Sequence, residues 1–226
     1  MAKVVLSLSG GMDSGTLLFH HLKRGDAVHA VSAHYGSKHN PMELACASQL
    51  VEHARSQGYN VSYSVLPLGA AMLGLKSTLM SGQGEIPEGH YTAESMKSTV
   101  VPGRNLIFIS LLAAIAESLE YGVVSLGVHS GDHAIYPDCR PEFIKAANAV
   151  VQASSAGKVS VQAPFLDYDK TSILALGLAN GTPYQFTRTC YKEQDLSCGK
   201  CGSCTERLEA FRNLNTPDPI GYETNE

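Results

Sequence analysis

A short apolar run that ends on glycines and passes straight into an apolar helix leaves a chain few folds to choose from. Here Val4-Val5-Leu6-Ser7-Leu8 is followed by Ser9-Gly10-Gly11-Met12-Asp13-Ser14, then by Gly15-Thr16-Leu17-Leu18-Phe19-His20-His21-Leu22. The first run reads as a buried parallel strand and the last as a helix, so the stretch between them is a strand-to-helix turn. Glycine lets such a turn be tight and lets the backbone approach a ligand closely. The turn aims free N–H groups, with the positive end of the helix dipole, at one point, which makes an anion site. Ser9 and Ser14 add hydroxyl donors. Asp13 is the odd member. A carboxylate beside a phosphate repels it unless a cation lies between, so the pattern implies Mg²⁺. An ordinary glycine-rich turn with capping residues is the plain alternative.

The stretch resembles the PP-loop, the SGGxDS signature of enzymes that split ATP into AMP and pyrophosphate. No Gly-Lys-Ser follows, as a Walker A loop requires, and the glycine spacing is not G-x-G-x-x-G. The resemblance implies ATP as co-substrate, with Ser9, Gly10, Gly11, Met12, Asp13 and Ser14 holding its phosphates. Such enzymes adenylate a carboxylate, amide or carbonyl oxygen and let a nitrogen or sulfur nucleophile displace AMP.

Further along, strand-like and helix-like segments alternate, which predicts an α/β fold with a five-stranded parallel sheet and helices on both faces. Strands are expected at Lys3–Leu8, Ala27–Ala33, Val61–Val65, Val123–Val128 and Val159–Gln162. Asn40-Pro41-Met42-Glu43 reads as an N-cap, a first-position proline and an acid, opening a helix that reaches about Gln57. Leu106 to about Tyr121 is apolar on nearly all sides and is expected to be a buried helix. Helices are also expected from Pro141 to about Ser155 and from Thr171 to Asn180. The stretch from Pro67 to Val101, with six glycines or prolines after its first residue, reads as a lid or binding loop, with room for a short helix around Ala70–Leu75. Thr216–Glu226 is expected to fray. The loops at 9–14, 34–39, 129–140 and 163–170 all leave strand carboxyl ends, where open α/β sheets bind ligands. The division expected is 1–181 for the nucleotide-binding domain and 182–226 for a C-terminal segment.

Composition narrows the partners. A net charge of -4 and no long basic run argue against a nucleic-acid surface. No apolar run approaches the ~20 residues of a membrane span and no cleavage-site pattern follows the first strand, so a cytoplasmic location and no membrane partner are expected. The six cysteines then point to metal or catalysis before disulfides. Cys190, Cys198, Cys201 and Cys204 form C-x7-C-x2-C-x2-C. Four thiolates suit a tetrahedral, structural Zn²⁺; an iron–sulfur cluster and a redox pair are the alternatives. Cys46 reads as a small buried hydrophobe, and Cys139, in a cleft loop, as either a packed thiol or a reactive one.

Together these pieces resemble one family, the 7-cyano-7-deazaguanine synthases (QueC). The matching residues span nearly the whole chain: Ser9–Ser14, Tyr35-Gly36 with His39 and Glu43, Val101-Pro102-Gly103-Arg104-Asn105, Tyr136-Pro137-Asp138-Cys139-Arg140-Pro141-Glu142-Phe143, Thr182-Pro183-Tyr184, and Cys190-Tyr191 with Cys198–Cys204 and Arg207. His34 and Ser37 stand where the family has an acid and a Gln, and His129–Ile135 departs from its usual turn. The resemblance implies an adenine nucleotide alpha-hydrolase-like fold and ATP-driven conversion of 7-carboxy-7-deazaguanine and ammonia to the nitrile through an amide. It also implies bound zinc and a homodimer. An amide-only synthetase, another PP-loop enzyme such as a tRNA-modifying one, and a nucleotide-binding sensor or zinc-finger module remain as alternatives.

Chemistry then assigns candidate roles. Asp13 holds Mg²⁺. Lys170 is a phosphate cation or an exposed first-turn lysine. Arg104 and Arg140 pair with a phosphate or with the substrate carboxylate. Asp132 or Asp138 accepts from the guanine-like N1–H and amino group, or caps its loop. His34, His129 and His133 are general-base candidates by location.

Overall fold

Period-2 and period-3.6 segments fold as an α/β sandwich in the computed structural model, which describes residues 1–72, 74–89 and 94–223, without the side chains of Glu94, Ser95 and His133. The strands are β1 (Lys3–Ser7), β2 (Ala27–His34), β3 (Val61–Pro67), β4 (Val123–Ser125) and β5 (Ser160–Gln162). They form one parallel sheet of order β3-β2-β1-β4-β5. The order reverses beside β1, so the crevice between the carboxyl ends of β1 and β4 is the ligand position such sheets favour.

The helices are α1 (Met12–Lys23), α2 (Asn40–Ser56), α3 (Arg104–Ser118), α4 (Pro141–Ser154), α5 (Lys170–Asn180) and α6 (Gly202–Asn213). Strand alternation decides which face each covers. Val4 and Leu6 pack with Leu17, Leu18 and Phe19 of α1, Leu50 and Val51 of α2, and Ile173 of α5. Val5 and Val124 pack with Ile109 and Leu112 of α3 and Ile144 and Val151 of α4. A buried hydrogen-bond chain braces the far end of β1: Ala2 N–H donates to Asp26 Oδ1 at 2.7 Å, and His21 bridges Asp26 Oδ2 (3.0 Å) and Ser125 Oγ (2.9 Å).

Several expectations are corrected. β4 stops at Ser125 because the chain then turns into the cleft. Asn40 is inside α2, with His39 as its N-cap; the Asn40 side chain instead accepts from the N–H groups of Tyr35, Gly36 and Ser37. α3 buries one stripe only, because it covers a single sheet face; Leu106 is 49% exposed, and Leu119, the C-cap residue, 42%. Met96–Ser118 contains an 18-residue window of mean hydropathy 1.7, long and apolar enough by composition alone to cross a membrane, a test that a helix packed in a core also passes. Its buried stripe is the part of α3 that packs on the sheet. Around 70–75 the described residues form turns, not a helix. The stretch from 67 to 101 carries a small core of its own, Met72, Leu79, Met80, Ile86 and Val101, packed on Tyr35 and the four tail cysteines. Residues 216–223 do not fray. Asp218 Oδ2 accepts from Arg207 Nε at 2.7 Å and from Tyr222 Oη at 2.6 Å, and Tyr222 pairs with Ser197.

Candidate active site

The loop after β1 is shaped by local hydrogen bonds and by one close approach. Ser9 Oγ lies 3.0 Å from Ser14 Oγ, Ser14 Oγ donates to Gly11 O at 3.2 Å, and Arg188 N–H donates to Gly10 O at 3.0 Å. Gly10 has φ +79, and a Cβ there would sit 2.3 Å from the Glu43 carbonyl oxygen, so the turn accepts only glycine. Ser9, Gly11, Met12, Asp13 and Ser14 line the cleft, and Gly10 lies behind them.

Asp13, at the start of α1, meets Lys170, the first residue of α5. Lys170 Nζ donates to Asp13 Oδ2 at 2.7 Å and lies 2.9 Å from His129 Nε2 and 3.7 Å from Glu206 Oε2. Burial works against both charges, but each holds the other: Lys170 and His129 keep Asp13 below the usual carboxylate range, and Asp13, Glu206 and Asp132 keep Lys170 above the usual lysine one. Asp13 Oδ1 is buried with no partner. A carboxylate with one satisfied oxygen and one bare one is what a cation ligand needs, so the loop fits Mg²⁺. His129, 1% exposed, accepts from Gly131 N–H and lies 3.6 Å from Asp132 Oδ2.

The structure sorts the remaining candidates. Arg104, Asp132 and Lys170 line the cleft. Asp138 does not: its Oδ2 accepts from Asn105 N–H at 3.0 Å and caps α3. Arg140 is the N-cap residue of α4 and also lies outside the lining. Asp138 is drawn away because α3 begins beside it and leaves N–H groups to satisfy. His34 is exposed at the end of β2, outside the lining, and the His133 side chain lies outside the described residues. Cys139 lines the cleft as a packed thiol. Burial and the nearby Asp132 push it far above the usual thiol range, and Asn105 Nδ2 donates to its Sγ at 3.2 Å.

The cleft lining also holds residues that sequence reasoning left without a role: Tyr35, His39, Glu43, Phe108, Tyr136 and Tyr191, with Arg188, Thr189 and Ser203 from the tail. The signal for His39 and Glu43 was their i,i+4 spacing on a helix that starts at a strand's carboxyl end.

The four thiolate donors of the tail come together. The sulfurs of Cys190, Cys198, Cys201 and Cys204 all lie within 4.8 Å of one another and are buried. A tetrahedral ion with 2.3 Å bonds separates its sulfurs by about 3.8 Å, so the set fits one metal ion. Cys198 and Cys204, with sulfurs 3.9 Å apart, are not disulfide-bonded.

Comparison with known proteins follows the same lines. The family profile described as queuosine biosynthesis protein QueC matches residues 3–215. Over 221 residues the chain is 48% identical to 7-cyano-7-deazaguanine synthase 1 of Colwellia psychrerythraea strain 34H, covering 98% of this chain and 99% of that protein. It is 46% identical over 221 residues to the 7-cyano-7-deazaguanine synthase of Marinomonas sp. strain MWYL1, covering 98% of each. Among solved structures, an NMN synthetase from Francisella tularensis superposes with a TM-score of 0.52 at 15% identity, over 99% of this chain and 89% of that one. A 4-thiouridine synthetase in complex with RNA and bound ATP superposes at 0.50 and 21% identity, over 95% of this chain and 51% of that one. Likeness at these identities shows the fold alone.

Proposed function

The chain belongs to the QueC family of queuosine biosynthesis proteins, and from that premise we propose that it converts 7-carboxy-7-deazaguanine and ammonia to 7-cyano-7-deazaguanine, driven by ATP. The observation that carries this reading is the end-to-end match, at 48% identity, to a 7-cyano-7-deazaguanine synthase.

The site's geometry supports the same chemistry. A ring carboxylate is inert to ammonia until one oxygen becomes a leaving group. Its attack on the α-phosphate of ATP gives an acyl-adenylate and pyrophosphate; ammonia then displaces AMP and leaves an amide. A second adenylation, on the amide oxygen, lets AMP depart and the nitrile form. The backbone of Gly10, Gly11 and Met12 and the hydroxyls of Ser9 and Ser14 cradle pyrophosphate. Asp13 holds Mg²⁺, which when bound neutralises phosphate charge, and Lys170 does the same from α5. Arg104 orients the substrate carboxylate, and Asp132 stands at the phosphate end. Arg140 and Asp138 act through α4 and α3 and do not touch substrate.

The four cysteines hold a structural Zn²⁺, whose contribution is a cross-link within residues 182–226, while residues 1–181 supply the nucleotide site. The protein works in the cytoplasm as a homodimer; the exposed apolar side chains Leu106 on α3 and Val150 on α4 support association. Metal analysis and sedimentation check these two points. Mass spectrometry of products from the acid, ATP and ammonium tests the function, and nitrile and AMP are expected. Feeding the purified amide with ATP separates the two steps: if the amide is recovered unchanged while the acid is consumed, the reaction stops at the amide.

A further inference from the structure

One cleft carboxyl is left over by the phosphate chemistry. Among the described residues, the acids lining the cleft are Asp13, Glu43 and Asp132. Asp13 is committed to Lys170, and Asp132 stands by His129 at the same end. Glu43 is on the first turn of α2, on the other side of the phosphate loop, with a side chain 20% exposed. Three contacts fix it there. Its carbonyl oxygen packs directly on Gly10. Asn40 Nδ2, which also donates to Ala33 O, donates to Glu43 Oε2 at 3.2 Å, while Asn40 Oδ1 accepts from the N–H groups of Tyr35 and Gly36. His39 Nε2, buried and 3.4 Å from Tyr35 Oη, faces Glu43 Oε1 at 3.6 Å.

We propose that Glu43 is the proton acceptor for the nitrogen nucleophile, an inference that rests on the reaction proposed above. Ammonia forms the C–N bond at the acyl carbon with its lone pair. The C–O bond to AMP breaks, and that electron pair leaves with AMP. One proton passes from the nitrogen to the Glu43 carboxylate and from there to water. Asp13 cannot serve, because Lys170 holds its charge. Burial, opposed by Arg104 and by the Asn40 hydrogen bond, pushes Glu43 up to about 8, so the carboxylate that takes the proton grows in as pH rises toward that value and the proton is released again in the same range. The titratable or charged groups around it are Tyr35, His39, Cys46 and Arg104; burial beside Arg104 and Arg188 keeps His39 neutral, at about 3. A neutral histidine and a guanidinium make poor competitors for the proton.

The test separates activation from nitrogen attack. Acid-dependent ATP–pyrophosphate exchange reports the adenylation alone. Hydroxylamine is unprotonated at neutral pH and a stronger nucleophile than ammonia, so its attack on an acyl-adenylate depends less on a base, and water can take the proton it releases. Glu43→Gln in the full chain is expected to keep exchange within about 3-fold of the unmutated protein, to lose ~10²-fold or more of amide formation from ammonium, and still to give hydroxamate with hydroxylamine. Glu43→Asp is expected to recover part of the ammonium reaction. The inference is overturned if Glu43→Gln makes amide from ammonium at the normal rate, if it loses exchange, or if it fails with hydroxylamine as well. Lack of acid-dependent exchange in the unmutated protein would instead remove the function reading, and this inference with it.

Discussion

Asp13 spends one carboxylate oxygen on Lys170 and leaves the other buried and unpaired. Asp13→Asn keeps the shape and removes the charge, so turnover is expected to fall by ~10²–10³ or more, with some loss of melting temperature because buried Lys170 then has only Glu206 and Asp132 to hold its charge. Near-normal turnover would take Asp13 out of the mechanism. His39 and Glu43 make a second residue-scale prediction, because they titrate in opposite senses. Burial, with Arg104 and Arg188 nearby, lowers His39 to about 3 from 6.5, so the stability contributed by its neutral ring is present above 6.5 and lost as pH falls toward 3. Burial raises Glu43 to about 8 from 4.5, so its contribution is present below 4.5 and lost as pH rises through 8. The two slopes oppose each other between 4.5 and 6.5, and above 6.5 only that of Glu43 remains. From this pair, stability is expected to fall by up to about 1.4 kcal/mol per pH unit between pH 6.5 and 8. Glu43→Gln should flatten that limb in urea titrations; an identical slope in the variant would count against it.

At the scale of elements, α1 and α5 touch so closely that one position allows no side chain. A Cβ on Gly177 would lie 1.8 Å from Tyr184 Oη and 2.8 Å from Thr16 Oγ1, which are hydrogen-bonded to each other at 2.7 Å. Gly177→Ala must therefore push α5 off α1, at about 1–3 kcal/mol. Because α5 begins at Lys170, kcat should drop as well. Thermal melts and kinetics read the two effects, and a variant with unchanged melting would show that the helices tolerate the shift. The start of α3 offers a cleaner separation of roles. Asp138→Ala removes the acceptor for Asn105 N–H and should lower stability by about 1 kcal/mol, while Asp138→Asn, which still caps, should keep most of it. Strong loss of activity in the Asn variant without loss of stability would mean that Asp138 touches substrate after all.

At the scale of the whole molecule, the cysteine-rich tail helps to build the cleft. Arg188 N–H closes on Gly10 O, Glu206 reaches Lys170, and Thr189 and Ser203 line the cleft. The tail's own keystone is Arg207, 0% exposed, which binds both oxygens of Asp218 and the Thr187 hydroxyl. Removing one partner of a buried pair strands the other charge, so Asp218→Ala should destabilise the protein by about 3–5 kcal/mol. Chemical denaturation measures it; a loss below about 1 kcal/mol would mean that water reaches the guanidinium.

Much of this was legible in the residues alone. The turn at Ser9–Ser14, the alternation of strands and helices, and the cysteine cluster rest on signals that act within a few residues: periodicity, turn chemistry and ligand spacing. What lay beyond them was pairing across the chain. Lys170 reaches Asp13 across 157 positions because β1 and β4 are neighbours in the sheet and α1 packs on α5. Asp138 and Arg140 carry suitable chemistry, yet the helix ends beside them place them outside the cleft. Glu43 reads as a first-turn acid until α2 folds onto Gly10. The apolar count of α3 predicts burial, but the sheet offers a helix only one face. Local sequence determines which groups can hold a phosphate, a proton or a metal; the order of the strands decides which of them share a cleft, because only packing sets distances between residues far apart in the chain.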